Sequence, residues 1–379
     1  MLIFMVTSSS IQSTLLRHQR LIDDALKSTL STVVDASGAS ALDEFYGQMQ
    51  YHLGWVDAKL QPTKNNPGKL LRPTLLLLAY EAAGAWELEE TATSYSDDHS
   101  YLQRALPAAV AVELTHNFTL IHDDIEDGDV ERRHRPTLWK QWGIPQAINT
   151  GDGMFALARS ALWGILDAGV EGTTAARLAQ LLDRTILTVA EGQYLDINFE
   201  TSLDISVAMY IDMIGRKTAA LMSGATEIGA CLGTRHFETI AHLKSFGKAL
   251  GIAFQVRDDI LGVWATAAES GKTQAGDIYR RKKSLPILHA LEHANPEDTE
   301  ILHAVYMPSL PGNSVTDAQV QQVLTIFSRT NTLAYCRDFL SQQCQLAREA
   351  LTDVPQIAHP VSARALDDMF TLVKFIEEE

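Results

Sequence analysis

Apolar residues recur at helical spacing along nearly the whole chain. Leu178, Leu181, Leu182, Thr185, Ile186 and Val189 fall on one face of a 3.6-residue repeat, which predicts an amphipathic helix. Leu333, Cys336, Leu340 and Ala347 mark a second such face. The alternation of a half-buried strand is almost absent. Helix breakers separate the periodic stretches: QPTKNNPG at 61–68, YSDDHS at 95–100, GVEGTT at 169–174 and PSLPGNS at 308–314. The pattern predicts roughly ten or more helices joined by short loops. No composition shift or long linker divides residues 1–379, so the expectation is a single all-α domain. The acidic stretch ELEETATSYSDDHSY at 87–101 lacks an apolar face and is expected to be a surface loop. Its Asp97–Asp98 pair, and Asp367–Asp368 near the carboxyl end, have no adjacent basic cluster and read as solvated charge.

The densest chemistry lies in LTHNFTLIHDDIEDGDVERRHRPT, Leu114 to Thr137. At roughly 100° per residue, Asp123 and Asp127 fall within about 20° either side of His116, with Asp124 on the flank of that stripe. Carboxylates packed beside Phe118, Leu120 and Ile121 need cations to offset the cost of leaving water. A carboxylate set without cysteine, and without a histidine pair at zinc spacing, suits magnesium. Arg132 and Arg133 add planar forks that match phosphate. The segment therefore reads as a site for a magnesium-bound diphosphate.

This HDDxxD…RR run resembles the first aspartate-rich motif of the trans-isoprenyl diphosphate synthases, the polyprenyl synthetases. The resemblance extends through GKLLRP (Gly68 to Pro73), Lys217–Thr218 in GRKTAAL, FQVRDD (Phe254 to Asp259) and GKTQAGDIYRRKKSLP (Gly271 to Pro286). The blocks stand in the family's order over roughly residues 60–300. The resemblance implies the all-α isoprenoid synthase fold, with antiparallel helices around a deep central cavity, and a homodimer. It implies condensation of isopentenyl diphosphate with an allylic diphosphate (dimethylallyl, geranyl or farnesyl), releasing diphosphate, with Mg2+ as cofactor, about three ions when the allylic diphosphate is bound.

Residue by residue, the resemblance makes Asp123, Asp127, Asp258 and Lys217 catalytic. Metal would be held by Asp123, Asp124 and Asp127 on one wall and by Asp258 and Asp259 on the facing wall. Lys69, Arg72, His116 and Arg133 would bind isopentenyl diphosphate without metal. Arg132, Lys217, Thr218, Gln255, Lys272 and Lys282 would surround the allylic diphosphate. Charge logic agrees, since a metal-free diphosphate needs Arg and Lys to neutralise it, and Lys69 and Arg72 stand at a predicted helix start, where N–H groups favour anions. Taken alone, His116 reads as a satisfied core histidine, Lys217 as a solvent-seeking lysine and Gln255 as a buried amide. One departure stands out. The second motif reads DDILG, so Gly262 occupies the place where the family commonly has a third aspartate. That wall is then expected to depend on Asp258, with Asp259 or a water assisting.

Product length should follow from what lies beneath the first motif. Thr119 sits one turn below Asp123, and Phe118 about 7.5 Å below it. A single aromatic at the deeper position resembles the type that makes the twenty-carbon geranylgeranyl diphosphate, with fifteen-carbon farnesyl diphosphate as the alternative. A terpene cyclase or a catalytically silent partner subunit fits less well, because a second, cationic diphosphate site and an intact first motif are both present.

The net charge of −16 argues against nucleic acid as a partner, and places the basic clusters Arg132–Arg135 and Arg280–Lys283 as local exceptions. Cys231, Cys336 and Cys344 form no metal spacing and no disulfide framework. MLIFMVTSSS lacks a basic flank and makes a poor signal peptide. No apolar run approaches the roughly 20 residues of a membrane span, so the expected location is the cytoplasm.

Overall fold

The computed structural model describes residues 9–63, 68–85, 99–202, 204–265, 274–307 and 314–378. Within them the chain is a succession of helices: α1 (Ser9–Leu16), α2 (Gln19–Ser37), α3 (Asp43–His52), α4 (Leu71–Ala82), α5 (Leu106–Glu126), α6 (Leu138–Trp142), α7 (Ile144–Trp163), α8 (Gly172–Glu200) and α9 (Val207–Ile214). A π-helical turn at Gly215–Ala219 then leads into α10 (Ala220–Gly233) and α11 (Phe237–Trp264). The last third holds α12 (Gly276–Tyr279), α13 (Leu285–His293), α14 (Pro296–Tyr306), α15 (Asp317–Arg329), α16 (Thr332–Thr352) and α17 (Pro360–Glu378). The one sheet among the described residues is a hairpin of β1 (Glu131–Arg132) and β2 (Arg135–Pro136). The all-α expectation holds. Most of the acidic stretch at 87–101, with Asp97 and Asp98, lies outside the described residues.

Local chemistry sets many of the boundaries. Pro107, Pro145, Pro286 and Pro296 stand in the first turns of α5, α7, α13 and α14, where a missing N–H costs nothing. Thr316 and Gln319 cap α15 reciprocally, and Asn295 accepts from Asp298 N–H at 2.9 Å to start α14. The predicted apolar faces are the buried ones. Leu178, Leu182, Thr185 and Val189 of α8 point inward, as do Cys336, Leu340, Cys344 and Ala347 of α16.

Two apolar cores share α4 and α10. Leu75, Leu78 and Ala82 of α4 pack with Met222 of α10 into a core built further from α11, α16 and α17. Leu76, Leu77 and Tyr80 join Ala225, Ile228 and Leu232 in the other core, with α2, α5 and α7. The α4–α10 crossing is close enough that a Cβ at Gly229 would collide with Leu76 O, and one at Gly233 would come within 2.5 Å of Tyr80 O. Two glycines four residues apart thus let these backbones touch.

A buried ionic network ties the two ends of the described chain to α4. Arg17 reaches Glu81 at 2.8 Å and Asp368 at 2.6 Å, while Thr14 Oγ1 donates to Asp368 at 2.7 Å and Tyr101 OH to Glu81 at 2.7 Å. Without Arg17, the fully buried Glu81 would keep only Tyr101 OH and His18 Nε2, the latter at 3.3 Å, and would lose its arginine partner at a cost of up to about 3–5 kcal/mol. Asp368 is therefore an anchoring carboxylate, not the solvated charge its sequence neighbourhood suggests. Its partner lies 351 positions away in the chain. Among the described residues no helix is long and apolar enough to cross a membrane.

Candidate functional site

Helix α5 carries the first motif and turns two adjacent faces to two different environments. Glu113, His116, Leu120 and Asp124 line a cavity of about 760 Å³. Asp123 and Asp127 look instead toward α8 and the π turn. Asp127 follows the helix's last residue but keeps its register, donating N–H to Asp123 O at 2.8 Å. The single stripe expected from the sequence is thus split, with His116 on the cavity side of the divide.

The cavity is lined by cations. Lys69 and Leu70 precede α4, with Leu70 in the left-handed region at φ 48°, and Arg72 sits in the first turn. From the other side come Arg132 and Arg133 of the β1–β2 hairpin. Arg133 and His134 form its turn at φ 53° and 60°, a conformation that non-glycine residues adopt at some cost, and which aims the Arg133 guanidinium inward. Gly68, at φ 111°, packs directly under that guanidinium, since a Cβ there would lie 3.1 Å from Nη2. Arg72 Nη1 contacts His116 Nε2 at 3.0 Å. Burial and the Arg72 and Arg133 charges hold the His116 imidazole well below its usual range, so it is neutral. Burial lowers Arg72 to about 10, with Glu113 opposing, and lowers Lys69 to about 8, with Arg257 adding to the effect and Asp258 opposing it. Cations depressed by desolvation are under-neutralised, and the cavity is electrostatically ready for an anion.

The other face has the opposite character. Lys217 Nζ stands 3.3 Å from Asp123 and 2.5 Å from Asp196 of α8. Its backbone is pressed against α8 where Gly192 leaves room, a Cβ there colliding with Lys217 N. The π turn, a geometry frequent at functional sites, presents Lys217 and Thr218 side by side. Thr218 Oγ1 donates to Gln255 Oε1 at 3.1 Å, and Gln255 Nε2 donates to Asp259 at 3.1 Å. Desolvation, then the Asp123 charge, push Asp127 to about 7. On this wall Lys217 stands among three carboxylates, Asp123, Asp127 and Asp196.

Several predicted residues have other partners. Asp124, expected at the metal, is buried and accepts from Arg132 Nε at 2.6 Å, and that pairing also commits Arg132 to the cavity side. Asp259 is fully buried. Tyr210 OH donates to it, as do Leu285 N–H at 3.3 Å and the Gln255 amide, and Lys282 Nζ lies 3.7 Å away. Asp258 is the one of the pair that lines the cavity. In the second basic run, Lys283 is structural, donating to the carbonyls of Phe199 and Glu200 at the end of α8. Arg135 likewise serves the fold, donating to Tyr51 O and Val56 O. Lys272 lies outside the described residues. Phe118 packs edge-to-face on Phe155 of α7, at 5.2 Å between centroids, and Thr119 Oγ1 donates to His116 O.

Some participants escaped the sequence reading. Glu113, buried three residues before His116, accepts from Asn117 Nδ2 at 2.8 Å, and its charge sits within reach of Arg72 and Arg133. A lone acid inside the apolar run AVAVELTH was the available signal. Asp196 and Tyr210 carry no such signal, because each meets the site from a distant helix, whereas Asp277 stands inside the GKTQAGDIYRRKKSLP block.

Among the described residues no three Asp, Glu, His or Cys side chains converge into a ready-made metal cage. Magnesium commonly uses one or two carboxylates and takes its other ligands from phosphate oxygens and water. Asp123, Asp127 and Asp258 are the carboxylates whose chemistry suits magnesium, and desolvation with the Asp123 charge raises Asp127.

The polyprenyl synthetase family model matches residues 54–325. The geranylgeranyl diphosphate synthase of Mycobacterium tuberculosis is 34% identical over 303 residues, 80% of each chain. A (2E,6E)-farnesyl diphosphate synthase from the same organism is 40% identical over 245 residues, which are 65% of this chain and 63% of that protein's length. The crystal structure of a polyprenyl synthetase from Streptomyces coelicolor A3(2) superposes with a TM-score of 0.80 at 31% identity, covering 97% of this chain and 99% of that one.

Proposed function

Because the chain belongs to the polyprenyl synthetase family, we propose that it is a short-chain prenyltransferase joining isopentenyl diphosphate to an allylic diphosphate. The observation that carries this reading is the pair of oppositely charged environments on α5. The cation-lined cavity suits a diphosphate bound without metal, and the carboxylate wall suits a diphosphate bound with it.

In this reading Lys69, Arg72, His116 and Arg133 hold isopentenyl diphosphate, the guanidinium forks matching its oxygens. Asp123, Asp127 and Asp258 would hold Mg2+, which when bound supplies Lewis-acid neutralisation of the leaving diphosphate. Lys217, placed against Asp123, and Lys282 add positive charge where the departing group gathers negative charge, with Lys272 as a further candidate. Thr218 and Gln255 hold one another and fix the wall that faces the allylic substrate. Arg132 bridges the two sites by fastening Asp124 beside the cavity. The product assigned is geranylgeranyl diphosphate, on the strength of Phe118 as the single aromatic beneath the motif. The farnesyl synthase among the relatives keeps the fifteen-carbon product as the second reading. Residues 1–379 form one catalytic unit in this proposal. Exposed Trp163 of α7, with Leu187 and Tyr194 of α8, supports a homodimer built on those helices.

Dimethylallyl, geranyl or farnesyl diphosphate, incubated with radiolabelled isopentenyl diphosphate and Mg2+, should yield labelled products whose chain length is read by chromatography. Turnover of the allylic substrate without isopentenyl diphosphate would point to a cyclase. No elongation with any of the three would overturn the proposal.

A further inference from the structure

The cation-lined cavity holds a second histidine. His52 is the last residue of α3 and lines the cavity with Lys69, Arg72 and Arg133. Its place is fixed by a strap. Arg135 donates to Tyr51 O at 3.0 Å and to Val56 O at 2.6 Å, and Tyr51 OH donates to Pro136 O at 2.9 Å. The end of α3 is thereby fastened to the hairpin that carries Arg133. Among the described residues, His52 Nε2 is shielded from solvent and makes no hydrogen bond. The side chain of Asn117, from α5, adjoins the ring. Asn117 Nδ2 is committed to Glu113, donating to its backbone carbonyl and to its carboxylate at 2.8 Å each, which identifies Asn117 Oδ1 as the atom left to accept. That oxygen is also buried without a donor. Two neighbouring buried groups left unsatisfied are costly to the fold and call for a role.

The charge on the ring depends on what enters the cavity. Burial, then the Arg133, Arg132 and Arg135 charges, hold His52 well below the usual histidine range, so the imidazole is neutral. On α5, His116 and, behind Asn117, Glu113 complete the titratable groups around it. A diphosphate offsets the three arginine charges, and the carbonyls at the C-terminal end of α3 favour a cation. His116 cannot respond in the same way, because Arg72 Nη1, an obligate donor, occupies its Nε2 at 3.0 Å.

We propose that His52 is a further binding residue for the diphosphate held without metal, and that it takes up one proton from solvent as the anion enters. The imidazolium then donates one N–H to a diphosphate oxygen and the other to Asn117 Oδ1, so both unsatisfied groups gain partners in one step. Glu113, hydrogen-bonded to the other end of the Asn117 amide, supports positive charge on the ring. Arg135 is the positioning residue. The inference rests on the prenyltransferase reading of this cavity.

The test is calorimetric titration of inorganic diphosphate into the full chain near pH 7 in EDTA, repeated in buffers of different ionisation enthalpy so that protons taken up are counted. His52→Gln should bind about tenfold more weakly, as for loss of one charge-assisted hydrogen bond. It should also take up fewer protons than the native protein, by roughly half a proton or more. Protons gained by Lys69 or by diphosphate itself are common to both proteins and cancel in the difference. Asn117→Leu, similar in size but without the acceptor, should lose the same uptake. Melting temperatures check that both variants fold. Ring 15N shifts of the native protein give an answer without any variant, since one histidine should become doubly protonated when diphosphate is added. In turnover, His52→Gln should raise KM for isopentenyl diphosphate about tenfold and leave the allylic KM and kcat within about twofold. A native proton count in either variant, native affinity in His52→Gln, or no histidine turning to imidazolium would overturn the assignment and leave the prenyltransferase reading intact. A native protein that bound no diphosphate in EDTA would overturn both the inference and the metal-free site it rests on.

Discussion

Lys217 and Asp123, from facing elements 94 positions apart in sequence, meet at 3.3 Å, and Asp196 holds the same ammonium at 2.5 Å. Desolvation alone would lower the Lys217 pKa, yet the Asp123 and Asp196 carboxylates raise it above the ordinary lysine value. The charged form is therefore locked beside the wall where a diphosphate would leave. Asp123→Ala should slow turnover by roughly 10²–10³-fold, about 3 kcal/mol in the barrier, as for loss of one strong electrostatic stabiliser. Asp127→Ala should do the same. Near-native kcat at saturating Mg2+ in either variant would remove these residues from the chemistry.

Lys69 gives a pH signature. Its ammonium, lowered to about 8 chiefly by burial, is lost in the free protein as pH rises through that value. The second-order constant kcat/KM for isopentenyl diphosphate reports groups of the free enzyme, so it should fall above pH 8, approaching tenfold per unit. Lys69→Arg should move that limb beyond the accessible range, because guanidinium keeps its proton. The allylic substrate's KM should change little in the same variant. A high-pH limb that stays near 8 in Lys69→Arg assigns it to another group.

The metal-free protein should register the crowding of carboxylates. Asp127 titrates near 4 in an unfolded chain and about 7 in the fold. A raised carboxyl pKa contributes stability below the unfolded value, and that contribution is lost as pH rises through the folded one. In EDTA, the melting temperature of Asp127→Asn should thus gain on the native protein between pH 5 and pH 8. Mg2+ with inorganic diphosphate should reverse the order at pH 8. A gap that is flat across this window would show that Asp127 is not destabilised by its surroundings.

Most of this architecture was legible because it is local. Apolar steps of three and four located α8 and α16, and the prolines and Ser/Thr/Asn caps lie where helices begin. The motif residues were legible too, since Asp123, Asp127, Arg132 and Arg133 lie within one short segment. What stayed hidden was set by packing between distant segments. The sequence put the weight of the second motif on Asp258, with Asp259 or a water assisting. The helix turns Asp258 to the cavity and buries Asp259 against Tyr210 and Leu285, a packing that adjacency could not show. Asp124 reads as a ligand by its neighbours, and the Arg132 that the hairpin folds back onto it was not legible from them. Asp368 looked solvated because Arg17 is at the other end of the chain. Gly262 read as a missing ligand, and the fold shows another carboxylate in that space.

The floor of the cavity gives the last expectation. Phe118 is braced edge-to-face by Phe155 of α7, and such a pair contributes about 0.5–1.5 kcal/mol beyond its buried area. Under the proposed function, a growing tail that descends past Thr119 would meet this braced ring. Phe118→Ala should open space and shift products beyond twenty carbons, and Phe155→Ala should shift them the same way to a lesser extent by releasing the ring. Thr119→Phe should block the tail one turn earlier and favour fifteen carbons. Forcing an isoprene unit into a packed wall costs roughly 1–3 kcal/mol. That is enough to change a product ratio about tenfold, since about 1.36 kcal/mol in a barrier is a factor of ten in rate. The chain-length distribution at fixed substrate ratio is the measurement. Identical distributions for all three variants would mean that α5 does not form the floor, and the twenty-carbon assignment would lose its steric basis.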